Sequence, residues 1–202
     1  MTIELPNVEG LTVDDAKHTL RSAVWGARHK RSQESNDRLE LQWVHTALDF
    51  IGDARTVAAY YSTPAEPPTH KIIDTIIGEG KRLLLPVVGP HLARNWAWYT
   101  GPECLEQKAP SRPLEPKGEP YDSTILREVD AILVPATLID HHGHRLGQGG
   151  GWYDRALLHL EPGTRIGAMV YPEEYVTIDL PQDQHDQHIP YVVLPDRWGE
   201  TS

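Results

Sequence analysis

The chain has 202 residues, a single cysteine, and 29 acidic against 19 basic side chains, for a net charge of −10. One cysteine excludes a disulfide framework and a zinc site built from several cysteines. The acidic balance argues against nucleic acid as a partner. The apolar runs are strand-sized, far short of the roughly 20 residues of a membrane helix, so we expect no membrane partner. The acidic segment 1–10 lacks an apolar signal core, which favours a cytoplasmic protein.

The first elements in chain order are two helices. Thr12, followed three residues later by Asp15, is typical of a helix start. Apolar residues then recur at helical spacing: Val13, Ala16, Leu20, Val24 and Ala27. Lys17 and Arg21 lie one turn apart on a single face of this helix. A second helix is predicted from about Arg38 to Phe50.

Strands and helices then alternate. The patterns predict strands over 56–61, 82–88, 131–134, 165–170 and 191–194, and helices over 69–79 and 151–160. Gly80 is predicted to end the first of these helices. The Pro-rich stretch 91–122 is predicted to be irregular. This alternation indicates an α/β fold with an open, mainly parallel sheet flanked by helices. No boundary divides the chain, so we expect a single domain over 1–202.

The densest chemical signal is a glycine loop at 145–155. Its glycines are Gly147, Gly149, Gly150 and Gly151. They let backbone N–H groups approach an anion, and the helix that follows adds free N–H groups at its start. A flexible surface loop is the alternative for a glycine run alone, but the preceding strand and Arg145, a planar donor suited to phosphate, favour phosphate binding. The loop matches neither the Walker pattern nor the dinucleotide pattern.

Histidines crowd the turn before this loop: His141, His142 and His144. A polar surface turn is the favoured interpretation. A metal site with Asp140 is the alternative, although histidines this close in sequence seldom converge on one tetrahedral ion. His185 and His188 flank Asp186 and leave a second metal hypothesis open.

The loop, read as Arg-Leu-Gly-x-Gly-x-Gly-x-Tyr-Asp, resembles the signature of the 5-formyltetrahydrofolate cyclo-ligase (methenyltetrahydrofolate synthetase) family. The resemblance extends over most of the chain. It includes the Lys-x-x-Leu-Arg pattern at 17–21, Tyr61 and Glu66, Gly80-Lys81, Leu85-Pro86, the Glu-Pro element at 114–116, and the segment 181–186.

This resemblance implies an enzyme that uses ATP and Mg²⁺ to convert 5-formyltetrahydrofolate, with one or several glutamates, to 5,10-methenyltetrahydrofolate, releasing ADP and phosphate. It implies a cleft in which nucleotide and folate meet, and we expect a monomer or weak homodimer. Position 152 is Trp where the family usually has Tyr, and position 190 is Pro where an acidic residue is expected. The alternative is therefore a folate- or nucleotide-binding protein without turnover on the same fold.

The resemblance also implies residue roles. ATP would contact Lys17, Arg21, Arg145, Gly147, Gly149, Gly150 and Gly151. Arg145 and Tyr153 would act in catalysis. Folate would contact Tyr61, Glu66, Gln148 and Trp152. Asp154 and Asp186 would hold Mg²⁺, which prefers carboxylates and phosphates. Without the resemblance, several of these residues have ordinary explanations. Lys17 and Arg21 would lie on a solvated helix face, and Glu66 would lie in a turn. Tyr61 would be a strand core residue, and Asp154 would cap a helix.

Overall fold

A computed structural model describes residues 2–89, 93–109 and 112–202. The helices are α1 Val13–Arg28, α2 Gln33–Ile51, α3 His70–Gly78 and α4 Trp152–Leu157. The strands are β1 Thr56–Ala58, β2 Arg82–Val88, β3 Arg94–Tyr99, β4 Leu105–Glu106, β5 Glu115–Pro116, β6 Tyr121–Asp122, β7 Ala131–Pro135, β8 Leu138–Asp140, β9 Arg145–Leu146, β10 Arg165–Met169, β11 Tyr175–Val176, β12 Tyr191–Val193 and β13 Trp198–Glu200. Among the described helices, none is long and apolar enough to cross a membrane.

One eight-stranded sheet organises the fold, in the order β13-β12-β10-β7-β1-β2-β3-β6. Its central strands, from β12 to β2, are parallel. The edge strands β13, β3 and β6 pair antiparallel. This arrangement confirms the predicted α/β class with a mainly parallel sheet.

The two faces of the sheet bury two apolar clusters, because successive strand residues point to opposite sides. Leu83 and Leu85 of β2 pack with Phe50 and Ile73, from the helices α2 and α3. Leu84 lies in the opposite cluster, with residues of α4. Both faces are therefore covered, as a parallel sheet requires.

Helix α1 packs apart from these layers, on the β8–β9 hairpin. Thr12 caps it by accepting a hydrogen bond from the Asp15 amide, as predicted. Leu20 and Val24 are buried against Leu138 and Leu146 of the hairpin. Val13, predicted to face inward, is 40% exposed, because the buried face of α1 instead includes Lys17 and Arg28. Since the glycine loop begins where this hairpin ends, α1 and the loop are held side by side.

Several predicted boundaries were wrong. Helix α2 begins at Gln33 rather than Arg38, because Ser32 caps it. The predicted strand 56–61 ends at Ala58, because the Tyr60 carbonyl and Ser62 amide bond to the Thr69 hydroxyl instead of a neighbouring strand. The predicted helix 151–160 is only Trp152–Leu157.

The stretch 91–122, predicted to be irregular, contains β3, β4, β5 and β6; positions 91–92 and 110–111 lie outside the described residues. β3 pairs along its whole length with residues 83–88 of β2, and burial of Trp96, Ala97 and Tyr99 stabilises it despite the surrounding prolines. The helix stop at Gly80 is confirmed: α3 ends at Gly78, and Gly80 adopts a φ of 75°.

Gly167 in β10 tests the packing between α2 and the sheet. A Cβ there would lie 2.7 Å from Phe50 Cζ and 2.8 Å from Val193 Cγ2, so the Gly167→Ala variant should lose about 1–3 kcal/mol of unfolding free energy through overpacking. Gly26 of α1 is the matched control. A Cβ there meets nothing within 4 Å, so the Gly26→Ala variant should gain about 0.5–1 kcal/mol. Urea denaturation measures both, and equal effects would contradict the packing argument.

Candidate active site

A large cleft lies at the carboxyl ends of the parallel strands, where open α/β sheets usually bind ligands. Its walls include the segment after β1, the last residue of β7, the inner face of α1 and the glycine loop. Its volume is about 1770 Å³. Pockets for one small molecule typically have volumes of roughly 300–1,000 Å³, so this cleft has room for two substrates.

The structure brings all the sequence-predicted site residues to this one cleft. They are Lys17, Arg21, Tyr61, Glu66, Arg145, Gly147, Gln148, Gly149, Gly150, Gly151, Trp152, Tyr153, Asp154 and Asp186.

One end of the cleft is cationic. Lys17 pairs with Asp186, and Arg21 Nε donates to the Gly147 carbonyl at 2.8 Å. Arg145, only 7% exposed, bonds from Nη2 to Asp154 Oδ1 at 2.9 Å and from Nη1 to the Pro135 carbonyl at 3.2 Å. The Arg145 Nε is buried without a hydrogen-bond partner among the described residues. These contacts concentrate donors around the start of the glycine loop.

Arg21 lies in a partly desolvated position at this end. Burial lowers the pKa of the Arg21 guanidinium; the charges of Asp186 and Asp14 oppose this effect, and the charge of Arg145 adds to it. Two partly buried arginines that repel each other would both be stabilised by an anion placed between them. A phosphate group suits this place, because the planar guanidinium can bond two of its oxygens at once.

The glycine loop has the backbone freedom that an anion cradle needs. Gly149 has a φ of 103° and Gly151 a φ of 56°, values that residues with a Cβ rarely adopt. A Cβ at Gly149 would also lie 3.4 Å from Arg21 Cζ. At this position glycine therefore serves both the backbone conformation and the close approach of the arginine.

Replacing Gly149 with valine should lower ATP affinity at least about tenfold, because the side chain strains the loop and crowds Arg21. Gly163 offers a matched control: its φ of 97° carries the same strain, and it does not line the cleft. Calorimetric titration with ATP should show a loss in the Gly149→Val variant and none in the Gly163→Val variant. Normal ATP affinity in the Gly149→Val variant would exclude the loop as a phosphate cradle.

A second part of the cleft wall carries a buried carboxylate, Glu66, which is 6% exposed. Its Oε2 accepts hydrogen bonds from the Thr63 amide and hydroxyl at 2.8 and 2.9 Å. Its Oε1 accepts from Gln148 Nε2 at 2.6 Å, which ties the glycine loop to this wall. Tyr61 stacks on His70, with ring centroids 4.1 Å apart. Glu66 and Tyr61 therefore lie in the loop after β1, and Tyr61 is not a strand core residue.

Aromatic side chains form a further part of the cleft wall. The Trp152 ring centroid lies 5.2 Å from that of Trp96 and 4.8 Å from that of Tyr153. Burial, and then the charge of Glu66, raise the pKa of the Tyr153 phenol well above its usual value, and Arg145 opposes this only in part. Tyr153 is therefore a protonated hydroxyl, able to donate a hydrogen bond, throughout the physiological pH range.

Two carboxylates lie beside the cationic end. Asp154 Oδ1 accepts from Arg145 and, at 3.3 Å, from the Gln187 amide. Asp186, the residue before Gln187, accepts on Oδ2 from Lys17 and from the Asp183 amide. The segment around Gln187 thus brings the neighbourhood of Asp186 to Asp154. Carboxylate oxygens are the donors that Mg²⁺ prefers, so the two carboxylates beside the glycine loop fit this ion.

Comparison with known proteins bears directly on this cleft. The model of the 5-formyltetrahydrofolate cyclo-ligase family matches residues 13–195. The chain is 34% identical to the 5-formyltetrahydrofolate cyclo-ligase of Mycolicibacterium smegmatis over 71% of this chain and 75% of that protein. It is 31% identical to the Escherichia coli K12 enzyme of the same name, over 73% of this chain and 81% of that protein.

The chain belongs to the 5-formyltetrahydrofolate cyclo-ligase family. The solution structure of the Aquifex aeolicus 5,10-methenyltetrahydrofolate synthetase agrees, with a TM-score of 0.76, 26% identity, and 92% of each chain covered. The predicted family and enzyme class are thereby confirmed: the chain is a cyclo-ligase of folate one-carbon metabolism.

The sequence analysis missed several cleft residues of this family member. Arg28 is buried, bonds Glu174 through two oxygens at 2.7 Å each, and holds the Ala136 carbonyl at 2.7 Å. Arg94 and Arg155 also line the cleft. Helical spacing could have indicated Arg28, which lies seven positions after Arg21 on the face of Lys17. No sequence pattern singles out Arg94.

Three histidines of this cyclo-ligase, His141, His142 and His144, lie in the turn of the β8–β9 hairpin. The Asp140 carboxylate accepts hydrogen bonds from the amides of His142, His144 and Leu180 and contacts His144 Nδ1 at 2.9 Å. Burial alone would raise the pKa of the Asp140 carboxyl. The hydrogen bonds from Leu180 and His144 outweigh this effect and lower the pKa. Asp140 thus stabilises the turn. In the described part of the chain, the group with metal-ligand spacing is His141, His142 and Asp179, whose ligand atoms lie within 4.8 Å of one another.

Proposed function

We propose that this cyclo-ligase uses ATP and Mg²⁺ to close 5-formyltetrahydrofolate into 5,10-methenyltetrahydrofolate, releasing ADP and phosphate. The observation that carries the proposal is one cleft of about 1770 Å³ that is lined by an arginine-bearing glycine loop, a buried carboxylate and aromatic side chains. A triphosphate suits the first feature. A flat heterocycle with N–H donors suits the other two.

The reaction needs an activated formyl group, because a formamide oxygen is a poor leaving group. Transfer of the γ-phosphoryl group of ATP to this oxygen gives an imidoyl phosphate and ADP. The N10 nitrogen then attacks the imidoyl carbon, loses its proton, and phosphate leaves with the C–O electron pair. Such a transfer depends mainly on positioning and on neutralising phosphate charge.

At the cationic end, Lys17, Arg21 and Arg145 would bind the phosphates, and Gly147, Gly149, Gly150 and Gly151 would wrap them. Support comes from the buried Arg145, whose Nε has no partner among the residues described, and from the left-handed backbone of Gly149. Arg145 would hold the transferred phosphoryl group, which is its proposed part in catalysis.

The proposed magnesium ligands are Asp154 and Asp186. When bound, Mg²⁺ would neutralise negative charge on the phosphates. Arg145 and Lys17, now paired with these carboxylates, would then be available to the phosphate oxygens. Asp154 and Asp186 would therefore pair with Arg145 and Lys17 in the absence of Mg²⁺ and bind Mg²⁺ in its presence.

At the folate end, Glu66 would accept hydrogen bonds from the N–H groups of the pterin ring. Gln148 now donates to Glu66 Oε1, the place such a group would take. Tyr153 would donate its hydroxyl proton to orient the formyl group, in keeping with its raised pKa. Tyr61 and Trp152 would contact the flat rings of the substrate.

The test is a steady-state assay of methenyl-folate absorbance. We expect absorbance to rise only when ATP, Mg²⁺ and 5-formyltetrahydrofolate are all present. Tight binding of folate or nucleotide without that rise would instead support a binding protein that does not turn over.

We propose a cytoplasmic location, with which the free thiol of Cys104 is compatible, since thiols stay reduced there. A monomer or weak homodimer stays a prediction, which sedimentation at several protein concentrations would check.

A further inference from the structure

Two arginines that the reaction described above does not use line the same cleft. Arg94 begins β3, and Arg155 lies in α4, directly after the glycine loop. Arg155 Nη2 donates to the Gly150 carbonyl at 2.7 Å. The Nε of Arg94 is buried and lacks a hydrogen-bond partner among the described residues.

Neither arginine has an acidic partner in the described part of the chain. Within residues 2–89, 93–109 and 112–202, neither guanidinium forms an ion pair with a carboxylate. Burial, and then the positive charge of Arg155, lower the pKa of Arg94. An anion bound beside Arg94 would offset both the burial of its guanidinium and its repulsion by the exposed Arg155.

Arg94 and Arg155 come from different elements of the cleft wall. Arg94 pairs in register with Val88, at the carboxyl end of β2. In the sheet, β2 and β3 follow β1 on the side opposite to β7, the strand whose last residue contacts Arg145. Arg155 directly follows Asp154 in α4, and α4 packs on the short helical segment Ser123–Glu128, which contacts β3. Trp152 packs on Trp96 of β3.

We propose that Arg94 and Arg155 form a subsite for the carboxylates of the glutamate tail of the folate substrate. This inference rests on the proposed function, since the tail belongs to the same substrate. A folate carries an aminobenzoyl ring between its pterin and its glutamate, so the tail ends well away from the pterin. With the pterin at Glu66 and the aminobenzoyl ring against Trp152, the tail reaches the arginines. Each guanidinium can bond a carboxylate through two N–H groups.

The phosphate groups of ATP are the other anion that we propose for the cleft, and they suit Arg94 and Arg155 less well. The proposed phosphate site already has three cations and two carboxylates for the metal that accompanies ATP. Asp154, which precedes Arg155 in the chain, pairs with Arg145 instead. In the described part of the chain neither Arg94 nor Arg155 forms an ion pair, and a glutamate tail is bound without a metal. The pair therefore matches a carboxylate better than a metal-bound phosphate.

Neutralising variants, Arg94→Gln and Arg155→Gln, test the proposal. Arg127→Gln is the control, because it removes the same charge from an exposed arginine outside the cleft. Calorimetry should measure the affinity for 5-formyltetrahydrofolate with one glutamate, for the form with three, and for 5-formyltetrahydropteroate, which has no glutamate. A parallel titration should use ATP.

We expect each cleft variant to weaken binding of the one-glutamate form about 5- to 20-fold, as for a partly exposed charge-assisted contact. Binding of the form with three glutamates should weaken at least as much. Binding of 5-formyltetrahydropteroate and of ATP should change less than about twofold, the usual size of a surface effect. The Arg127→Gln variant should match the wild type throughout.

An equal loss with and without the glutamate would overturn the proposal, and so would folate affinity that matches the Arg127→Gln control. A loss confined to ATP would assign the pair to phosphate instead. These outcomes are independent of the proposed reaction: a wild-type protein that binds folate tail-dependently but produces no methenyl-folate would contradict the reaction and leave the subsite supported.

Discussion

Replacing Arg145 with alanine should lower kcat/KM for ATP by roughly 10- to 150-fold, the equivalent of about 1.5–3 kcal/mol for a charge-assisted hydrogen bond. Arg145 is 7% exposed and contacts both Asp154 and the Pro135 carbonyl, so its loss removes a proposed phosphate donor and releases a proposed metal ligand. Steady-state kinetics with ATP varied measures the effect. Circular dichroism should show that the fold survives.

The Arg145→Lys variant separates the two properties of this side chain. Lysine keeps the charge but lacks the planar fork that contacts Asp154 and Pro135 together. We expect it to recover only part of the lost activity. Full recovery would mean that positive charge alone matters, and unchanged ATP kinetics in the Arg145→Ala variant would remove Arg145 from the site.

Replacing Asp154 or Asp186 with asparagine should raise the Mg²⁺ concentration for half-maximal turnover at least about tenfold. Asparagine retains an oxygen that can accept the bonds now made by Arg145, Lys17 and the backbone, so the change removes mainly the negative charge. The double variant should lose less than the sum of the two single losses, since one substitution already impairs a shared site.

Turnover measured against free Mg²⁺ for the wild type, both single variants and the double variant provides this comparison. The Asp183→Asn variant is the control, because Asp183 lies on the same cleft-lining segment and is not a proposed ligand. A wild-type magnesium curve in either single variant would exclude that residue from the metal site. Fully additive losses would mean that the two carboxylates act in separate places.

The local pattern of the sequence determined most of the secondary structure and the composition of the glycine loop. The cap at Thr12, the stop at Gly80 and the strand 82–88 depend on neighbouring residues, and the structure has all three. The family signature is likewise local. It named residues that the fold brings to one cleft, because the glycines, the arginine and the aspartate of the signature lie close together in one loop.

Only the tertiary structure decided how distant segments meet. The Lys17–Asp186 pair joins residues 169 positions apart, and the bond from Gln148 to Glu66 spans 82 positions. β3 forms because β2 supplies its hydrogen bonds and the core buries Trp96, which a Pro-rich local sequence does not indicate. Arg94 and Arg155 face one cleft only because α4 packs beside β3 through the segment Ser123–Glu128. Each of these pairings depends on contacts between elements far apart in the chain, and spacing along a sequence carries no information about them.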